Sequence, residues 1–100
     1  MKRASASYES GLKEALADPA EAAAYLNAAL KDGSQDVFLM ALRDVAKARG
    51  LSRLAVETSL NRENMYRILS KAGNPQLSSL KALLDSLGLK LTIEAKRAVA

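Results

Sequence analysis

LSRLAVETSLNRENMYRILS, residues 51–70, is the stretch on which the fold turns. It divides into two short helical runs, Ser52–Thr58 and Arg62–Ser70, with a break of about three residues between them, the dimensions of a helix-turn-helix. Ser52 and Asn61 stand where the two N-caps belong. Leu54, Ala55 and Thr58 recur on one side of the first helix, and Met65, Ile68 and Leu69 on one side of the second. Ala55 is small enough for the second helix to cross closely, and Leu60 can plug the turn.

Turned outward on the second helix are Arg62, Glu63, Tyr66, Arg67 and Ser70, with Asn61 at its start. From a helix laid in a major groove, Arg grips guanine O6 and N7 with two hydrogen bonds. Asn does the same for adenine, and Glu accepts from cytosine N4. Asn61, Arg62, Glu63, Tyr66 and Arg67 are therefore candidate base-contacting residues. Plainer roles stay open: Arg62 and Arg67 as solvated surface, Glu63 as a partner of the helix dipole, Tyr66 as packing. Ser52, Arg53, Lys71 and Asn74 surround the element as candidate phosphate contacts, which set position and affinity while base contacts set specificity. Arg43, Lys47 and Arg49 on the preceding helix extend the positive field or only solubilise it.

The flanking chain reads as further helices. Ser34 can cap one that carries Val37, Phe38, Ala41, Leu42, Val45 and Ala46 inward until Gly50. Ahead of it, Asp18, Pro19 and Glu21 have capping-box logic for a helix with Ala22, Tyr25, Leu26, Ala29 and Leu30, stopping near Gly33. Residues 8–17, with Tyr8, Leu12, Ala15 and Leu16, form a weakly periodic helix interrupted by Gly11, and residues 1–7 a loose tail. After the turn Gly73-Asn74-Pro75, Ser78 or Ser79 starts a last helix with Leu80, Leu83, Leu84 and Leu87 inward, ended by Gly88. Then the period changes. Leu89-Lys90-Leu91-Thr92-Ile93-Glu94 alternates apolar and polar, the signature of a half-buried strand with Leu89, Leu91 and Ile93 on one face. A single strand has no earlier strand here to pair with, so it pairs with a copy of itself, adds to a partner's sheet edge, or frays.

One hundred residues make one domain. Apolar residues at 49% exclude disorder, and aromatics at 4% are fewer than a β-sandwich carries. Cysteine and histidine are absent, which excludes disulfides, thiolate chemistry, zinc fingers and His-based triads together. No Gly-rich phosphate loop is present either, so no enzyme activity, cofactor or metal is expected. Charge is distributed unevenly: residues 1–42 carry four basic and six acidic residues, residues 43–71 seven and three. A basic centre beside an acidic segment suggests a polyanion-binding element next to a protein-binding region. No apolar run approaches the ~20 residues of a membrane span. Met1-Lys2-Arg3 leads only into the small polar stretch Ala4–Ser7, so a cytoplasmic location is expected.

One resemblance spans residues 18–94. Tyr25-Leu26-Asn27-Ala28-Ala29-Leu30 and Phe38-Leu39-Met40-Ala41-Leu42-Arg43-Asp44-Val45-Ala46 resemble the addiction-module antidote proteins. So do Gly50-Leu51-Ser52, Leu54-Ala55, Leu60-Asn61-Arg62-Glu63, Tyr66-Arg67, Gly73-Asn74-Pro75 and Leu87-Gly88-Leu89-Lys90-Leu91. These proteins are HigA-like, Xre/Cro-like helix-turn-helix antitoxins of type II toxin–antitoxin pairs. The resemblance implies an all-α, lambda-repressor/Xre-like helix-turn-helix bundle with an N-terminal helical extension, to which the pattern above adds a short C-terminal β-strand. It implies a cognate toxin of the RelE/ParE superfamily as partner, and repression of the pair's own operon by binding double-stranded operator DNA. The family's recognition-helix positions fall on Asn61, Arg62, Glu63, Tyr66 and Arg67. Residues 1–33 are then the tail and extension, a candidate toxin-contact region; 34–88 the helix-turn-helix domain; 89–100 the strand and tail. A homodimer joined by the strand would set two recognition helices about 34 Å apart on a palindromic site. The alternatives are a stand-alone or prophage regulator without a toxin, or a helical protein–protein module. Ser59 departs from the pattern, standing where helix-turn-helix proteins usually have Gly.

Overall fold

Each helix boundary answers to a backbone requirement. The computed structural model describes residues 11–70 and 74–96, with Arg62 by its backbone alone. Residues 11–16 are helical (α1), followed by α2 (Pro19–Lys31), α3 (Gln35–Arg49), α4 (Leu51–Thr58), α5 (Arg62–Ile68) and α6 (Leu77–Ser86). Gly11 is the first described residue and is helical, and the part of the expected helix ahead of it, with Tyr8, lies outside the described residues. Three expected caps form. The Glu21 N–H donates to Asp18 Oδ2 at 3.2 Å with Pro19 at the first position of α2. The Val37 N–H donates to Ser34 Oγ at 3.4 Å, and the Asn64 N–H to Asn61 Oδ1 at 2.6 Å.

Two helix starts differ from the sequence reading. Ser52 is not a cap. Gly50, at φ 107° and ψ 115°, ends α3 and begins α4 at once. Its N–H donates to the Ala46 carbonyl at 2.9 Å, and its own carbonyl accepts from the Leu54 N–H at 3.1 Å. Only glycine adopts such a conformation readily, and with one residue serving both helices Leu51 is already helical. The last helix begins at Leu77, ahead of Ser78 and Ser79, because Gln76 is the last extended residue (φ −69°, ψ 151°). On α3, Val37 is exposed and Leu39 is buried in its place.

Ser59 adopts the left-handed conformation that the turn between α4 and α5 demands, at φ 63° and ψ 14°. A residue with a Cβ spends about 1–2 kcal/mol there. Ser59→Gly is therefore expected to raise stability by about 0.5–1 kcal/mol, the gain being trimmed by glycine's freer unfolded chain. Ser59→Val should lower it, and urea midpoints of the two variants check both signs.

α2 packs on α3, while α4 touches α3, α5 and α6. Leu54, fully buried, and Met65 stand at the centre of one continuous core. Leu16, Ala22, Leu26 and Ala29 of the N-terminal extension belong to that same core. Gly88 closes α6 at φ 80°: the Leu89 N–H reaches the Leu84 carbonyl at 2.8 Å and the Gly88 N–H that of Asp85 at 3.0 Å. A Cβ at Gly88 would lie 3.3 Å from Pro19 Cγ, so the end of α6 abuts the start of α2.

The expected C-terminal strand is not part of this chain's fold. Among the described residues there is no strand, and the segment after Gly88 runs without regular hydrogen bonding. The reason is the one the pattern carried with it: no second edge exists inside an all-helical chain. Leu89 instead packs against the core, leaving Leu91 48% and Ile93 97% exposed. No helix among the described residues is long and apolar enough to cross a membrane.

Candidate nucleic-acid interface

α5 is a seven-residue helix buried below and exposed above. Met65, Ile68 and Leu69 are buried, which turns positions 63, 66 and 67 outward together, one helical turn apart. Glu63, Tyr66 and Arg67 are exposed there as expected, Tyr66 at 52%. Lys71 lies outside the described residues, as does the Arg62 side chain, although the Arg62 backbone opens α5.

Asn61 has a dual position. It is exposed beside this face, yet its Oδ1 holds the Asn64 N–H at the start of α5. That cap orders the helix start and uses one of the two lone pairs of the oxygen. Glu63 lies in the first turn, where a carboxylate complements the helix dipole.

Two hollows flank α5. One is lined by Tyr66 and Ser70 together with Arg43, Lys47 and Leu51, so the positive residues of α3 come next to the outward face of α5. The other brings Arg67 and Asn64 against Asn74 and Gln76 at the approach to α6. The structure thus unites Arg67 with Asn74, a candidate base contact with a candidate phosphate contact. Gln76 carried no signal in the sequence beyond its polarity.

The other basic residues divide by what they already hold. Arg43 Nε donates to the Leu69 carbonyl at 3.0 Å, placing a positive charge at the C-terminal end of α5. It fastens the helix to α3 rather than only extending a field. Ser52 and Arg53 are exposed in the first turn of α4. Arg53 Nε donates to Glu57 Oε2 at 3.1 Å, and Ser86 Oγ donates to Glu57 Oε1 at 3.0 Å, which ties α4 to α6. The hydrogen bonds from Arg53 and then Ser86 hold the Glu57 carboxyl below its ordinary pKa. That link is present at neutral pH and is lost in acid, as pH falls through the lowered value. Arg53 thus shares its charge with Glu57, which weakens it as a phosphate contact.

A second tie was not readable from spacing. Tyr25 Oη donates to Asp44 Oδ2 at 2.7 Å, joining the outer side of α2 to α3. Among the described residues, no group of three or more acidic side chains gathers as a metal site would require.

A family model described as "Probable addiction module antidote protein" matches residues 8–95 of the chain. A protein of Haemophilus influenzae, described as uncharacterized, is 32% identical over 84 residues, covering 84% of this chain and 87% of its own. No solved structure matches the chain significantly. The matched range reaches ten residues further toward the N-terminus than the resemblance at 18–94 and takes in the whole of the described helical fold.

Proposed function

The chain belongs to the family of probable addiction module antidote proteins, and from that premise we propose that it is a DNA-binding antitoxin. In this reading α4 and α5 form a helix-turn-helix that docks α5 in a major groove of the pair's own operator. Arg67 and Arg62 grip base edges, Tyr66 and Glu63 contribute contacts beside them, and Asn61 orders the first turn. Asn74, Ser52, Lys71 and, more weakly, Arg53 meet phosphates. The observation that carries this reading is the α5 face itself: Glu63, Tyr66 and Arg67 are exposed together above a buried Met65–Ile68–Leu69 base, with Lys47 alongside.

An antidote implies a cognate toxin. We place a RelE/ParE-like toxin against the outer side of the extension. The apolar face of α2 is already committed to the core through Ala22, Leu26 and Ala29. What α2 and the start of α3 offer a basic partner is exposed acidic residues, Asp18 and Glu21 at the start of α2 and Asp32 and Asp36 beyond its end, where Leu30 is 55% exposed. Charge of opposite sign speeds encounter, and the exposed Leu30 supplies apolar contact.

A gel shift with the DNA upstream of the gene tests the first half. Binding is expected, and its affinity should fall with salt, the log–log slope steepening by about 0.9 for each phosphate that a Lys or Arg neutralises. No shift at low salt would reject the DNA-binding reading. Co-expression with the neighbouring reading frame tests the second half: rescue of growth and a joint pull-down are expected.

A further inference from the structure

We propose that residues 90–94 form an antiparallel two-stranded ladder with the same residues of a second copy, in a register centred on Thr92. The proposal rests on the homodimer expected from the sequence and fixes its contact and register. Its starting point is an exposed apolar edge. Leu91 is 48% and Ile93 97% exposed, and the backbone from Lys90 to Ala95 takes part in no regular structure. Leu91 also borders a hollow shared with Leu30 and Phe38, so apolar surface continues past the segment.

The occupant follows from self-complementarity. With Thr92 opposite Thr92, Leu91 meets Ile93 on one face, and Lys90 meets Glu94 on the other, twice by symmetry. Opposite charges and paired threonines each stabilise such a ladder. The neighbouring in-phase registers lose this. Centring on Leu91 sets Lys90 against Thr92 and Glu94 against Gly88. Centring on Ile93 sets Lys90 against Lys96, a like-charge pair. Half-step shifts place leucine opposite polar side chains and move the apolar residues off the shared face. A contact of this kind is isologous and closes on itself as a dimer.

The chain has no cysteine, so single substitutions report the register directly. Thr92→Cys places two thiols directly opposite, and an added oxidant is expected to join them as one intermolecular disulfide. Leu91→Cys sets its thiols diagonally and should cross-link on the order of tenfold more slowly. Sedimentation without DNA or partner reads assembly independently. The wild type should run as a dimer of the 10.7 kDa chain. Lys90→Glu should raise its dissociation constant on the order of tenfold, and adding Glu94→Lys should restore it. A monomeric wild type, faster linking of Leu91→Cys than of Thr92→Cys, or no rescue by the charge swap would each overturn the proposal. Because these readouts contain no DNA, such a result leaves the operator assay to stand or fall alone.

Discussion

Leu54→Ala is expected to lower the unfolding free energy by about 2–5 kcal/mol, the range for emptying a fully buried leucine site. Leu54 is wholly enclosed and is the buried residue of α4, the helix that touches α3, α5 and α6. A cavity there loosens three interfaces together, and the surrounding helices cannot all collapse onto it. A domain of this size is stable by about 5–15 kcal/mol, so the loss removes a large share of the margin. Leu54→Met, which nearly keeps the volume, should cost under about 1.5 kcal/mol. Urea unfolding followed by circular dichroism measures both. A Leu54→Ala midpoint equal to wild type would mean that α4 does not sit at the centre of the core.

Arg67→Ala is the opposite kind of change. Its side chain is exposed, so the melting temperature should stay within error, while operator binding weakens by about 1–3 kcal/mol, roughly five- to 150-fold. Fluorescence anisotropy at one fixed salt concentration, with matched and base-substituted operators, separates two roles. A base contact loses discrimination at one position of the site. A phosphate contact weakens every sequence alike and flattens the salt slope by about one. Unchanged affinity on all DNAs would remove Arg67 from the interface. Comparing the two variants also guards against confusion, since Leu54→Ala weakens binding only as far as it unfolds the protein.

The features that were legible in the sequence are those carried by local chemistry. Asp18, Ser34 and Asn61 each precede a helical apolar pattern, and each side chain caps its helix. The inward stripe of α5 was equally plain, because Met65, Ile68 and Leu69 leave Tyr66 and Arg67 no side but the outer one. Ser59 was marked as out of place, and the backbone answers by taking the left-handed turn regardless.

Features that depend on residues far apart were hidden. Nothing local to Arg43 says that its guanidinium will seek the Leu69 carbonyl, 26 residues on, nor that Tyr25 will reach Asp44. Spacing makes Gly50 an end and Ser52 the next beginning. That one glycine does both follows from its φ and ψ, which spacing does not disclose. The alternation at Leu89, Leu91 and Ile93 is of another kind: a period of two records which side chains share a face, but supplies no second edge, and this chain contains none among its described residues. Of the candidate site, Glu63, Tyr66 and Arg67 stand together, while Arg53 proved to be engaged with Glu57.

The sharing of one core by the extension and the remaining helices couples two ends of the molecule without any moving part. Ala22, Leu26 and Ala29 cannot leave without opening the core that they share with Met65, Ile68 and Leu69 beneath α5. A ligand that grips only native α2 adds RT ln(1 + [L]/Kd) to the stability of the entire chain. Because a domain with a margin of several kcal/mol is already almost wholly folded, the consequence is a higher melting temperature for the whole chain, α5 included, rather than a larger folded population.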